Sequence, residues 1–246
     1  MRIDKYICKS TELTRTEAKS ILKRGEVKVN DIIIKSPSTQ VHENNNITVN
    51  GQALIARTSR YIMMHKPLDT ICSNVDENHP SVLNFIDVDK AFDLHIAGRL
   101  DVDTTGLILI TDDGRWSHRI ISPKSNCNKI YRVWLRYPLK EGIIEKFKTG
   151  VQLQGESSLT LPASLSVVYN AKESENSYDT SGPFEKNTEV LLTLTEGKYH
   201  QVKRMFAAVG NKVIQLHREK IGEISLSDDL QSGEWRYLTD TEVASV

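Results

Sequence analysis

Four aspartates bracket one apolar run in HIAGRLDVDTTGLILITDDG, residues 95–114: Asp101 and Asp103 stand before it, Asp112 and Asp113 after it. Acids so spaced offer three kinds of chemistry. Read as a calcium loop, Asp101, Asp103, Thr105, Gly106 and Asp112 occupy positions 1, 3, 5, 6 and 12, with Ile108 at the apolar position 8. Against this, position 5 is Thr and position 12 the shorter Asp, no second such loop follows, and LILIT reads as a strand. Read as a phosphoryl-transfer nucleophile, DVDTT fits a DxDxT pattern in which the first aspartate attacks phosphorus and the second acts as acid. That pattern belongs at the end of an apolar strand, whereas AGRL precedes it here. The third reading needs only Asp101. Arg99 lies two residues before it, on the same side of an extended backbone, and Gly98 and Gly106 let the loop approach a ligand closely. Asp112 and Asp113 are then turn formers and helix N-terminal charges, and Asp103 caps the turn before Gly106.

Elements that would position such a loop can be read around it. Leu107 to Thr111 is expected to be a buried strand, residues 112–114 a turn, and Trp116 to Ile121 a short helix. KIYRVWLRY alternates, with Tyr131, Val133, Leu135 and Tyr137 on one face and a basic and aromatic face of Arg132, Trp134 and Arg136 on the other. EVLLTLTEG is a further strand. QVKRMFAAVG places Val202, Met205, Phe206 and Val209 at helical spacing, and Gly210 stops the helix. Lys203 and Arg204 fall in its first turn, where a cation opposes the helix dipole, so something besides helix stability must account for them. Residues 169–187, polar and rich in Ser, Asn and Glu, are expected to be a long mobile loop. Strands dominate and helices intervene irregularly, which predicts an α+β fold and not a doubly wound sheet.

Before residue 58 the pattern is that of a smaller module. Thr14 and Glu17 form a capping box, Ala18, Ile21 and Leu22 an apolar stripe, and Gly25 a helix end. Arg15, Lys19 and Lys23 repeat at i, i+4 along that helix, a row of like charges that costs stability unless an anion lies alongside. EVKVNDIIIK reads as a hairpin about Asn30-Asp31, and ITVNG as another strand. Net charge is zero, but residues 1–60 hold 11 basic against 6 acidic side chains, +5, leaving −5 on the remainder. Within that remainder, residues 115–148 carry nine Lys and Arg against Glu141 and Glu145. Two basic regions on a neutral chain are what holding a polyanion requires. No apolar run approaches a membrane span and MRIDKYICK is too charged for a signal peptide, so a cytoplasmic address is expected. Cys8, Cys72 and Cys127, odd in number and far apart, argue against both a disulfide framework and a zinc site.

RIDKYICKS, TRTEAKSILKRG and VKVND resemble the S4 RNA-binding domain over roughly residues 1–50. GRLDVDTTGLILITDDG, NKIYRVWL and EGKYHQVKRMFAAVG resemble, in order, the three core motifs of the pseudouridine synthases, and the ending through HREKIGEISL and LTDTEV is similar as well. The resemblance implies an S4 (αL-type) domain with its linker over 1–57, and over 58–246 a catalytic domain on a mixed, largely antiparallel sheet with flanking helices. It implies isomerisation of uridine to pseudouridine with no cofactor and no metal, in small-subunit (16S) ribosomal RNA at uridine 516, within an assembly intermediate; a monomer is expected. Asp101 is then the catalytic carboxylate and Lys203 its cationic partner. Tyr131, by pattern alone one more inward strand residue, becomes the residue that stacks on the base. Arg99 would hold a phosphate or the flipped nucleotide, and His200, Gln201 and Arg204 would contact substrate. Ile221 and Leu216 would form an apolar wall. His118, which invites reading as a base, sits in a basic block where packing or RNA contact is the commoner role. Arg15, Lys19 and Lys23 would meet RNA through the S4 module, which is expected to move relative to the catalytic domain and to order on RNA. Two features depart from the family pattern: the loop at 169–187 is long, and residues 35–57 match weakly. A different class also fits, an RNA-binding ribosome-assembly protein whose synthase fold lacks chemistry; an intact Asp101, Tyr131 and Lys203 set favours the enzyme.

Overall fold

Thr14 and Glu17 close the capping box: the Thr14 hydroxyl accepts from the Glu17 N–H and the Glu17 carboxylate accepts from the Thr14 N–H. In this computed structural model, which describes residues 1–42, 44–171 and 188–246, the capped helix is α2 (Arg15–Arg24), preceded by α1 (Ile3–Ser10). Gly25 ends α2 in the left-handed region. A small sheet follows, of β1 (Val27–Val29), β2 (Ile32–Ile33), β3 (Ile47–Val49) and β4 (Gln52–Ala53), in the order β2-β1-β3-β4. Asn30 and Asp31 both take positive φ at the first turn, as a two-residue hairpin requires. Asn50-Gly51 does the same at β3–β4, supplying a last strand that the weakly matching 35–57 segment left open. Ile3, Ile7, Ala18, Leu22, Val27 and Ile47 fill the core of this unit, which spans Met1–Ser59.

The second unit, Arg60–Val246, is built on one mixed sheet. In chain order its elements are β5 (Tyr61–Lys66), β6 (His95–Ala97), β7 (Thr104–Thr111), α3 (Gly114–Ile121), β8 (Lys129–Leu135), α4 (Ile143–Thr149), β9 (Ser164–Tyr169), β10 (Thr188–Leu194), α5 (Gln201–Ala208), β11 (Val213–Ile221), β12 (Ile224–Ser225), β13 (Trp235–Tyr237) and α6 (Asp240–Ala244). The main path runs β13-β5-β7-β11-β8-β10-β9, with β6 beside β7 and β12 beside β11. Among the described residues its strands pair antiparallel except β7 with β11, where Leu216, His217 and Arg218 run parallel to Thr104, Thr105 and Gly106. One cluster packs β8 and β10 against α4 and α5 through Val133, Val190, Phe147, Met205 and Phe206. Another lays α3 on β5 and β7 through Trp116, Ile120, Met63 and Leu109. Among the described residues no helix is long and apolar enough to cross a membrane.

Several sequence expectations are corrected here. The strand expected at 107–111 begins at Thr104, so the run that a calcium loop would fold around is extended backbone. On the expected basic face of β8, Arg132 is neutralised, because it donates to both Glu219 and Glu189 on the neighbouring strands, and Arg136 lies beyond the strand's end. Ile221 has no exposed surface and packs with Leu107, Leu109 and Trp116; Leu216 is buried in the cluster around Phe206. Both are core residues, and neither offers a substrate wall. Tyr169 ends β9, and residues 172–187 of the expected long loop lie outside the described residues.

Where β7 meets β11, Gly106 sits at φ +107°, and a Cβ there would lie 2.3 Å from the Arg218 carbonyl oxygen. Gly106→Ala combines a backbone conformation that L side chains avoid with a direct clash, together roughly 3 kcal/mol. For a unit of this size the expected fall in Tm is about 6–12 °C by calorimetry; an unchanged Tm would show that strand spacing there does not depend on the glycine.

Candidate active site

Between β6 and β7 the backbone is pinned at every second residue. Gly98 O accepts from Arg218 Nη2 at 2.7 Å, Leu100 N–H donates to Cys72 Sγ at 3.3 Å, and Val102 O accepts from the Asp69 N–H at 3.0 Å. Lys66 Nζ reaches Val102 O at 3.4 Å, Thr104 O at 2.9 Å and Pro67 O at 3.0 Å. A turn closes this segment, the Thr104 N–H donating to Asp101 O at 3.1 Å, and between the anchored positions 98, 100, 102 and 104 residues 99, 101 and 103 carry the polar side chains. These are Arg99, Asp101 and Asp103.

Two of the anchors are buried cations. Lys66 has no exposed surface and Arg218 is 2% exposed. Neither forms an ion pair among the described residues, and their donors go to carbonyls or, for Arg218 Nη1, to the Tyr131 hydroxyl at 3.4 Å. Burial lowers the pKa of Lys66, against the opposing pull of Cys72, Asp103 and Asp101. Burial likewise raises the pKa of the Cys72 thiol, which keeps it a neutral acceptor for the Leu100 N–H. Arg218 Nε also holds Leu107 O at 2.8 Å, so one guanidinium ties the loop, β7 and the β8 tyrosine together. Sequence reading missed Lys66, Cys72 and Arg218. Only the apolar company of Lys66 in YIMMHKPL hinted at burial.

Toward this loop α5 brings the residues that the third motif predicted. Lys203 Nζ donates to Asp101 Oδ2 at 3.2 Å and also to Asp103 Oδ1. Asp103 therefore shares the ammonium, where sequence reading made it a turn cap. Burial works against charge on both Lys203 and Asp103, yet their mutual bond prevails: the Lys203 pKa is raised and the Asp103 pKa lowered. His200 caps α5 from the left-handed region at φ 48° and places Nε2 3.4 Å from Asp101 Oδ1. Asp101 thus lies between an ammonium and an imidazole, with 29% of its side chain open to solvent.

Other expected contacts are spent inside the protein. Gln201 is buried, donates to Glu196 and accepts the Lys198 N–H at 2.8 Å. Arg204 donates to Glu156, to Gln154 O at 2.8 Å and to Tyr199 O at 3.1 Å. Both brace the turn before α5 and have no donor pattern left to define a substrate pocket. Arg99 is exposed and makes no hydrogen bond or ion pair among the described residues. His118 is exposed on α3. Asp112 accepts from Arg60 Nε at 3.0 Å, and Asp113 caps α3 through the Arg115 and Trp116 N–H groups. The four aspartates therefore do not converge: two face Lys203 and two serve the far end of β7. Among the described residues no three His, Cys, Asp or Glu side chains gather as a metal site.

A carboxylate held against an ammonium suits nucleophilic or base chemistry. The model of the RNA pseudouridylate synthase family matches residues 60–208, and that of the S4 domain residues 1–47. The chain belongs to the RNA pseudouridylate synthase family. Over its whole length the synthase is 50% identical to the ribosomal small subunit pseudouridine synthase A of Vibrio cholerae, of which it covers 99%. It is 44% identical to that of Escherichia coli K12, with all of both chains covered. A solved pseudouridylate synthase crystal structure, 42% identical, superposes with a TM-score of 0.68 over 100% of this chain and 99% of the other.

Lys66 lies in none of the three motifs named above, yet its removal takes away the side-chain anchor at 104 and one of the two at 102. Lys66→Met is expected to lower kcat for pseudouridine formation about 100-fold, the cost of a displacement near 1 Å, while RNA affinity by filter binding changes less than threefold. Unchanged kcat would mean that the remaining anchors suffice.

Proposed function

We propose that this synthase converts a uridine of small-subunit (16S) ribosomal RNA, uridine 516 by its resemblance to the family members that act there, into pseudouridine, with Asp101 as the catalytic carboxylate. The observation that carries this reading is the Asp101 side chain, presented by an anchored loop, exposed enough to be reached and held beside Lys203. The curated relatives of Vibrio cholerae and Escherichia coli, matched end to end, support the choice of RNA.

Isomerisation breaks the N1–C1′ glycosidic bond and forms a C5–C1′ bond; C5 gives up a proton and N1 gains one, so no redox partner or phosphoryl group takes part. The carboxylate serves as nucleophile toward sugar or base, or as base toward the sugar. Lys203 stays beside it, 3.2 Å away, as the cationic partner when RNA closes the site and water leaves. A base inside a helix cannot reach Asp101, so the target nucleotide is extruded and its base stacks on Tyr131, whose hydroxyl Arg218 holds. Arg99, exposed beside the loop, takes a phosphate. In the S4 module Arg15, Lys19 and Lys23 are all exposed on α2 and have no acidic partner among the described residues, which suits a phosphate backbone. The working form is a cytoplasmic monomer acting on an assembly intermediate.

Asp101→Asn is expected to lower pseudouridine formation by at least about a thousandfold, read by carbodiimide primer extension, with RNA binding retained. A surviving stop with the variant as sole source would defeat the assignment, and binding without any product from the wild type would leave an assembly protein instead. Exchanging Arg15, Lys19 and Lys23 together for Gln should weaken RNA binding and reduce the slope of log K against log salt by about 2, near 0.7 for each lost phosphate contact. An unaltered slope would place the RNA elsewhere on the module.

A further inference from the structure

Tyr199 is 77% exposed, although it stands next to a residue touching the candidate catalytic carboxylate. Exposed aromatic rings are usually loose, but this one is held. Its ring stacks on His200 with centroids 3.8 Å apart and planes 18° from parallel. Its carbonyl accepts from Arg204 Nη1, and Arg204 is itself fixed on Glu156 and Gln154. The preceding turn is tied as firmly: Lys198 bonds Glu156 at 3.0 Å and Gln201 at 2.8 Å, and Glu196 takes the Leu161 N–H at 2.8 Å besides the Gln201 amide. His200 adopts φ 48°, a left-handed conformation that a non-glycine residue keeps only when its surroundings impose it. The chain therefore accepts local strain and uses two buried or half-buried side chains, Gln201 and Arg204, to hold an apolar ring out in water.

Preorganisation of this kind is useful only to a partner that meets the ring face, because a ring already ordered loses no further entropy on binding. The order Asp101, His200, Tyr199 runs outward from the carboxylate, with one face of the tyrosine covered by the imidazole and most of the remaining ring in solvent. An unpaired nucleobase offers the matching surface, and single strands bind proteins by stacking bases on such rings.

We propose that the Tyr199–His200 stack is a platform for the base of the nucleotide adjoining the extruded uridine, so that this site reads a flanking position as well as the target. The assignment rests on the uridine isomerase reading above. Stacked on Tyr199, the neighbouring base cannot return to its own helix, and the gap left by the target nucleotide stays open.

The test uses the full-length protein and a small-subunit ribosomal RNA fragment carrying the target uridine, with 2-aminopurine placed at its 5′ or its 3′ neighbour. In an Asp101→Asn background, binding is expected to quench 2-aminopurine at one of the two positions, and adding Tyr199→Ala to abolish that quenching. In the active protein Tyr199→Ala is expected to raise KM between about 5- and 150-fold, the range for one lost base stack, with kcat within about twofold; Tyr199→Trp restores KM. An abasic neighbour should raise the wild-type KM to that of the alanine variant and add nothing to the variant itself. Quenching that survives Tyr199→Ala, or a KM rise equally large on intact and abasic RNA, overturns the platform. Wild-type protein that quenches 2-aminopurine through Tyr199 but makes no pseudouridine overturns the isomerase reading and leaves the platform standing.

Discussion

A guanidinium buried without an acid beside it must find a hydrogen-bond acceptor for its donors or destabilise the fold by several kcal/mol. Arg218 meets that demand with the carbonyls of Gly98 and Leu107 and the Tyr131 hydroxyl. Lys66 meets it with Pro67, Val102 and Thr104. Each acceptor is part of the segment that carries Asp101 or of an element packed on it. Satisfying two buried charges and fixing the loop are therefore one event. Carbonyls serve better than carboxylates here, because a carboxylate partner would cancel the positive field that reaches the site. Gly98 and Gly106 belong to the same arrangement: Arg218 passes 3.6 Å from where a Gly98 Cβ would lie, and its backbone presses on Gly106.

On that scaffold the charges are balanced differently. Asp103 and Lys203 shift in opposite directions, each toward its ionised form. The depressed Asp103 contributes stability above the ordinary carboxylate range near pH 4 and loses it as pH falls through its folded value. The raised Lys203 contributes below about pH 10.4 and loses it as pH rises through its folded value. Both contributions are present throughout the neutral range, so the cation beside Asp101 is constant wherever RNA is intact. Asp103, its side chain 70% exposed, also acts as a second anchor for the ammonium, holding Lys203 in place beside Asp101.

Much of this was legible in the sequence where the signals are local. The Thr14–Glu17 box, the left-handed Gly25, the Asn30-Asp31 turn, the alternation of β8 and β10 and the apolar spacing of α5 each depend on residues within a few positions of one another. The meeting of Lys203 with Asp101 was foreseen from motif order and the awkward cation at a helix start. What escaped depends on pairing across the sheet. Arg132 reads as RNA-binding until Glu219 and Glu189 are set beside it, and those partners are 87 and 57 residues away. Gln201 and Arg204 read as substrate contacts until Glu196 and Glu156 claim them. Ile221 depended on strand parity: the register with Lys129 turns it into the α3 core. Lys66 and Arg218 were missed for the plainest reason, since charge in a sequence argues for exposure and gives no sign of the carbonyls that would receive it.

The parallel pairing of β7 with β11 joins Gly106 to Arg218, so the segment bearing Asp101 acquires its last fastener only from residues translated more than a hundred positions later. Such a distant closure is slow to find, and it cannot begin until β11 has left the ribosome. A nascent or C-terminally clipped chain ending before Arg218 lacks the guanidinium that ties Gly98 to Leu107, and its Asp101 hangs on an unfastened loop. Anchoring is thus also ordered in time: the loop is fastened only when the chain is nearly whole.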